Sequence, residues 1–316
     1  MQVNYVPAPS KVLSEKGCEP LERAVKKKKK FSITPYLFIA PHLIIFIIFF
    51  LIPLVYGLYA SFTKWNLFSD PIWVGIDNYI TILTDKGSTF YRQFWNGLKN
   101  TVTFVIICVP FQILIPLTIA LLLDMRPKGK SIFQGIFYLP TLFSITSVTL
   151  TWLFVFNRSL GLFNKLFGTD INWYAQQPYA WMTIVIATLW WGIGVNLIVY
   201  IAALAGVDKN IKEAAEIDGA GSFKRLVNIT LPSIRFPLMY TVIVSIIAQF
   251  NIYGQPLMLT SGGPTESTAV LLMYIRNLAF GTGNSVAGAA SAMATCLGLI
   301  IGIVSVVQLR LLRKQS

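Results

Sequence analysis

Six stretches of this 316-residue chain are apolar, free of Asp, Glu, Lys and Arg, and long enough to cross a bilayer: 36–60, 100–123, 132–156, 179–205, 236–259 and 286–309. A hydrocarbon core about 30 Å thick takes roughly 20 helical residues. Backbone N–H and C=O groups inside that core must bond within their own segment, so each stretch is expected to be a helix. The expected class is an all-α polytopic membrane protein with six transmembrane helices. Composition agrees. The chain is 55% hydrophobic and 12% charged, whereas a soluble domain carries about 25% charged residues. Intrinsic disorder is excluded, because that class is poor in apolar residues.

The formal net charge is +13, and its distribution reads as a topology signal. Nineteen of the 26 Lys and Arg residues fall before span 1, between spans 2 and 3, between spans 4 and 5, or after span 6. Cytoplasmic loops concentrate Lys and Arg, so both termini are expected in the cytoplasm. Nucleic acid is not an expected partner. Span 1 begins too late, and lacks the small-residue cleavage site, for a signal peptide. Residues 1–34 form a polar tail, expected to be poorly ordered, whose lysine run 26–30 suits an anionic lipid surface. The transmembrane domain covers 35–312, and 313–316 is the cytoplasmic end. The outer loop 61–99 is rich in aromatics (Trp65, Trp73, Tyr79, Phe90, Tyr91, Trp95). These suit either a membrane interface or a surface for an outside partner.

Several chemistries are missing. The cysteines Cys18, Cys108 and Cys296 stand far apart, and His42 is the single histidine, so no metal site is expected. Gly129-Lys130-Ser131 is the nearest approach to a nucleotide-binding loop. Asp124 stands where that loop needs its first glycine, so ATP is not bound in that way. No acid, base and nucleophile cluster marks an enzyme, and proton-coupled carriers usually bury carboxylates in their spans. The spans do carry uncharged polar residues. Span 4 has Thr188, Trp190, Trp191, Gly192, Gly194 and Asn196; span 5 has Ser245, Gln249, Asn251, Tyr253 and Gln255, with Gly254 and Pro256 interrupting the helix. Such groups either glue helices together or line a wet cavity. As a cluster, amides and aromatic faces suit an uncharged polyol.

The most informative segment is the cytoplasmic loop 208–232. Asp208 can cap a first short helix carrying Ile211, Ala214, Ala215 and Ile217. Gly219 and Gly221 supply the positive φ of a turn. Ser222 can cap a second helix bearing Phe223, Leu226, Val227 and Thr230, which Leu231-Pro232 ends. Alanines would let a partner approach closely, and Glu213 and Glu216 could meet its basic groups.

Here Glu213-Ala214-Ala215, Asp218-Gly219-Ala220, Phe223, Ile229, Leu231-Pro232 and Pro237 resemble the EAA loop of bacterial ABC-importer permeases. Pro53, Tyr59, Ser61-Phe62, Asn100-Thr101, Leu139-Pro140, Gly161 with Asn164, and the run 260–264 look like the maltose-type carbohydrate permeases, over roughly 35–312. The resemblance implies a type I ABC-importer permease fold in the bacterial cytoplasmic membrane, with the EAA elbow as the coupling helix. It implies two ATPase subunits, which hold the ATP and Mg, so that this chain is no enzyme and binds no cofactor. It further implies a second, usually non-identical permease and an extracytoplasmic sugar-binding protein. Glu213 would pair with a basic residue of the ATPase, and Gly219 would hold the elbow. The substrate pathway would run near Ser144, Thr188, Trp191, Gly192, Asn196, Gln249, Asn251 and Tyr253. The large periplasmic insertion of some maltose-type permeases has no counterpart here. Competing expectations are a permease for a glycerol-phosphate ester, an ion-coupled secondary carrier, and a membrane-embedded enzyme or scaffold.

Overall fold

The computed structural model describes residues 34–125, 127–281 and 286–313, and these are mostly helical. The polar tail with its lysine run, up to residue 33, and residues 314–316 lie outside the described residues. The chain divides into two units, Met1–Ile52 and Pro53–Ser316. In the first, helix α1 (Thr34–Phe46) runs into a π turn (Ile47–Leu51), and from Leu37 onward the side chains are exposed almost throughout. A helix apolar on every side needs an apolar solvent or an apolar partner.

Helix α2 (Ile52–Ser61) leads into the second unit, followed by a two-stranded antiparallel ribbon, β1 (Thr63–Lys64) and β2 (Ile72–Trp73), and helix α3 (Asp77–Leu83). Helix α4 (Thr89–Asp124) has 36 residues, a length of about 54 Å. It starts at Thr89 rather than residue 100, because the Ser88 side chain caps it by accepting from the Phe90 N–H at 3.1 Å. Arg92 and Lys99 had excluded that first part from an apolar stretch. Span 3 is broken. Helix α5 (Lys130–Tyr138), a 3₁₀ turn (Leu139–Leu142) and helix α6 (Ile145–Val155) meet at a 103° bend. Helices α7 (Leu162–Phe167) and α8 (Tyr179–Ala205) follow, then α9 (Lys209–Ile217).

Helix α10 (Ser222–Arg225) passes through a second π turn (Leu226–Thr230) into α11 (Leu231–Ser233), which bends by 69° into α12 (Arg235–Phe250). The helix therefore does not end at Leu231-Pro232. The break falls at Ile234, where Pro237 lacks an N–H for the Ser233 carbonyl and its ring crowds that group. Helices α13 (Gly254–Thr260), α14 (Leu271–Phe280) and α15 (Ala287–Arg313) complete the chain. Among the described residues, four helices are long and apolar enough to cross a membrane alone, and the total reaches six if each bent pair is one span.

The core of the second unit lies where α4, α8 and α12 meet, around Ile113, Leu117, Leu197, Tyr200, Leu204 and Ile234. Lipid is as apolar as leucine, so helices in it associate through close packing and hydrogen bonds. Gly194 shows the first: a Cβ there would stand 2.9 Å from the Tyr138 Cα, so only glycine lets α8 lie this close to α5. Asn100 shows the second, donating to the Glu266 and Ala269 carbonyls at 2.9 Å each and pinning the loop before α14 to α4. Asn100→Leu leaves the Ala269 carbonyl without its donor, at about 1–3 kcal/mol, while Glu266 O keeps Asn96 Nδ2 at 3.1 Å. A drop of several degrees in the unfolding midpoint of the detergent-solubilised protein is expected; an unchanged midpoint would refute the anchoring role.

Candidate functional site

Span 5 is interrupted, as Gly254 and Pro256 suggest. Helix α12 stops at Phe250, and α13 restarts at Gly254. Beside this break is a cavity of about 400 Å³. Its walls are Gln112 on α4, Thr141 and Ile145 around the bend of span 3, Thr188, Trp191, Gly192 and Val195 on α8, and Ala248, Gln249 and the five residues from Asn251 to Gln255. None of these residues is Asp, Glu, Lys, Arg or His. Four are amides: Gln112, Gln249, Asn251 and Gln255.

Of the expected pathway residues, Thr188, Trp191, Gly192, Gln249, Asn251 and Tyr253 line this cavity together. Ser144 does not. It is exposed, and its hydroxyl caps α6 by accepting from the Ser147 N–H at 3.2 Å. Asn196 lies outside the lining, 5% exposed, and donates to the Gln112 carbonyl at 3.0 Å and to Ser245 Oγ at 3.2 Å. The reason lies in α4. Pro116 has no N–H, so the carbonyl four residues back, that of Gln112, has no intrahelical donor, and Asn196 supplies one from α8. Trp191 satisfies a carbonyl at the other bend, its indole N–H donating to Phe143 O at 3.1 Å. The Thr188 hydroxyl is satisfied within its own helix.

Gln112 is the amide of the wall that sequence reasoning missed, along with Thr141, Ile145 and Val195. Gln112 Oε1 accepts from Gln249 Nε2 at 2.6 Å. An amide flanked by apolar residues gave little reason to choose it; the one available signal was Pro116 four residues on.

The loop between α8 and α12 forms the expected elbow. Asp208 caps α9, accepting from the Asn210 N–H at 2.9 Å. Gly219 has φ of +74°. The Ala220 N–H donates to Ala215 O at 2.9 Å, and the Gly219 N–H to Glu216 O at 3.1 Å. This is the paired bonding of a Schellman turn, which favours glycine at the left-handed position. Gly221 is a correction: its φ is −62°, so one left-handed residue suffices, and it occupies the cap position of α10 expected of Ser222. Glu216 also departs from expectation, pairing at 2.9 Å with Arg225 across the turn of its own chain. Lys212 pairs with Asp124 at 3.0 Å, tying α9 to the end of α4. Glu213 is exposed and has no ion pair among the described residues. Ile217 and Phe223 are 87% and 78% exposed, an apolar pair of the kind that marks a docking surface.

Residues 79–315 match the family described as binding-protein-dependent transport system inner membrane component. The chain is 30% identical over 298 residues to the "Probable starch degradation products transport system permease protein AmyD" of Thermoanaerobacterium thermosulfurigenes, covering 92% of this chain and 98% of that protein. It is 32% identical over 281 residues to the sn-glycerol-3-phosphate transport system permease protein UgpA of Escherichia coli, covering 87% and 92%. Its fold is similar to that in a crystal structure of a bacterial alginate ABC transporter in complex with an alginate pentasaccharide-bound periplasmic protein, with TM-score 0.71, 24% identity, and coverage of 87% and 91%. The matched segment takes in the uncharged cavity and the whole elbow, and the chain belongs to the family of binding-protein-dependent transport system inner membrane components.

Proposed function

We propose that this chain is the membrane-spanning permease subunit of an ATP-driven importer for a neutral carbohydrate, an oligosaccharide or related polyol, working by alternating access. In this reading it crosses the bacterial cytoplasmic membrane six times with both termini inside, and 35–312 is the permease domain. The observation that carries the substrate class is the cavity at the break in span 5, walled by amides, hydroxyls and aromatic rings without a charge. Sugar hydroxyls need paired donors and acceptors, and sugar C–H faces pack on aromatic rings. An external binding protein delivers the substrate, and a second permease completes the pathway. Two separate ATPase subunits hold ATP and Mg, while this chain catalyses nothing and binds no cofactor.

The elbow is the coupling device. Glu213, Ala214, Ala215, Asp218, Gly219, Ala220, Phe223, Leu231 and Pro232 form the part that meets the ATPase. Closure of the ATPases moves α9, and the Lys212–Asp124 pair carries that motion into α4, which also bears Gln112. Lys212→Glu sets two acidic groups against each other and should lower uptake several-fold. Adding Asp124→Lys restores opposite charges and should recover it. Failure of the double variant to recover would remove this pair from the coupling path.

A second reading, a glycerol-phosphate ester, has the similarity to the glycerol-3-phosphate permease in its favour. A phosphate calls for Arg or Lys, and the cavity wall has neither. The test is gentle affinity purification from the native membrane, with mass spectrometry and uptake assays on labelled saccharides and glycerol 3-phosphate. Recovery of an ATPase and a second permease, with ATP-dependent saccharide uptake, is the expected result. Recovery of the chain alone, with uptake insensitive to ATP depletion, would favour a secondary carrier.

A further inference from the structure

We infer that Gln112, Gln249 and Gln255 read two neighbouring hydroxyls of the substrate, and that Gln112 sets which hydroxyl pattern the cavity accepts. This rests on the carbohydrate reading above.

The argument starts from the amide pair. Gln249 Nε2 donates to Gln112 Oε1 at 2.6 Å. One polar atom of each side chain is thereby engaged. The Gln112 Nε2 donors and the Gln249 Oε1 acceptor have no partner among the described residues, and neither polar atom of Gln255 has one. Gln249 and Gln255 are each 6% exposed, yet these atoms are not among the occluded, unpartnered ones. All three residues line the cavity. Buried amides are normally fully bonded, so two buried amides and the half-buried Gln112 with open positions on one cavity mark a place for a polar ligand.

The chemistry of that ligand follows from what is offered. Gln112 presents N–H donors, Gln249 presents a carbonyl, and Gln255 presents both. A hydroxyl can donate and accept, so adjacent sugar hydroxyls satisfy the pair, one taking the Gln112 N–H and the next donating to Gln249 Oε1. A phosphate or carboxylate accepts only, and would set a lone pair against the Gln249 carbonyl.

The position of Gln112 is fixed on three sides. Asn196 holds its backbone carbonyl, and Gln249 holds its Oε1. Reversing this amide alone would set N–H against N–H, and reversing both still leaves one donor and one acceptor open. On the third side is Gly192: a Cβ there would stand 2.8 Å from Gln112 Nε2, so the glycine leaves the slot the amide occupies. Gly192→Ala therefore displaces the tip of a flexible side chain and leaves the backbone packing alone, which makes it a test that does not depend on removing Gln112.

The experiment uses the complete transporter with its binding protein in proteoliposomes, fed a labelled mixture of starch-derived saccharides, and then the preferred saccharide and its monodeoxy analogues. For Gln112→Leu and for Gly192→Ala, the half-saturating concentration of the saccharide should rise at least about tenfold, the scale expected when a polar group facing a substrate hydroxyl is lost. The wild-type preference for the saccharide over one of its deoxy analogues should collapse in both variants. The binding protein is the same throughout, so its own selectivity cancels. Saccharide uptake with wild-type half-saturation and deoxy discrimination in both variants would overturn this inference and leave the carbohydrate reading standing. No saccharide uptake by the wild-type assembly would overturn the carbohydrate reading, and this inference with it.

Discussion

Gly219→Pro is expected to reduce uptake to background while the protein still inserts and is recovered from the membrane in normal amount. Gly219 sits at φ of +74°, and proline is locked near −65°. The substitution also removes the N–H that donates to Glu216 O at 3.1 Å. The turn cannot form, and α9 and α10 lose their fixed angle. Gly219→Ala separates the two causes. A Cβ at this position meets nothing within 4 Å, so its cost is backbone strain alone, about 1–2 kcal/mol. The alanine variant should retain partial uptake where the proline variant retains none. Glu213→Lys completes the set. The side chain is exposed and has no ion pair among the described residues, so stability should not change, and a loss of uptake points to a partner's surface. Wild-type uptake by both Gly219→Pro and Glu213→Lys would remove the coupling assignment.

How much of this could be read from residues alone depended on whether the cause was local. The elbow was legible because its determinants are neighbours: Asp208 caps α9, and Gly219 closes the turn. The break in span 5 was legible for the same reason, from Gly254 and Pro256. By contrast, the 103° bend in span 3 had only Pro140 as a local sign. Its geometry depends on long-range contacts, with Gly194 packed against Tyr138 and Trp191 bonded to Phe143 O. Ser144 sits beside the bend but outside the cavity lining, and its hydroxyl accepts from the backbone N–H of Ser147, a capping use that a serine beside a bend also serves. The cavity was half legible. The polar residues of α8 and α12 cluster in sequence, whereas Gln112 acquires its role from Gln249, 137 positions away.

The second large effect tests the junction beneath the cavity, where Pro116, Gln112 and Asn196 form one unit. Asn196→Leu takes away the donor that the Gln112 carbonyl has in place of an intrahelical one. In a buried site an unmet carbonyl costs about 1–3 kcal/mol, and the Ser245 contact at 3.2 Å is lost as well. The single variant should therefore unfold several degrees below wild type in detergent. Pro116→Ala supplies the missing partner from within α4, since residue 116 then carries an N–H aimed at the carbonyl of residue 112. Against that background, Asn196→Leu forfeits only the Ser245 contact. The double-mutant cycle should show the two changes coupled by about 1 kcal/mol or more, with the double variant more stable than the sum of the singles predicts. Additive effects would mean that Asn196 serves α8 and α12 through Ser245 alone. Coupling would show that a proline in mid-span creates a polar vacancy, which a facing asparagine fills, and that this exchange sets the height of Gln112 against the cavity.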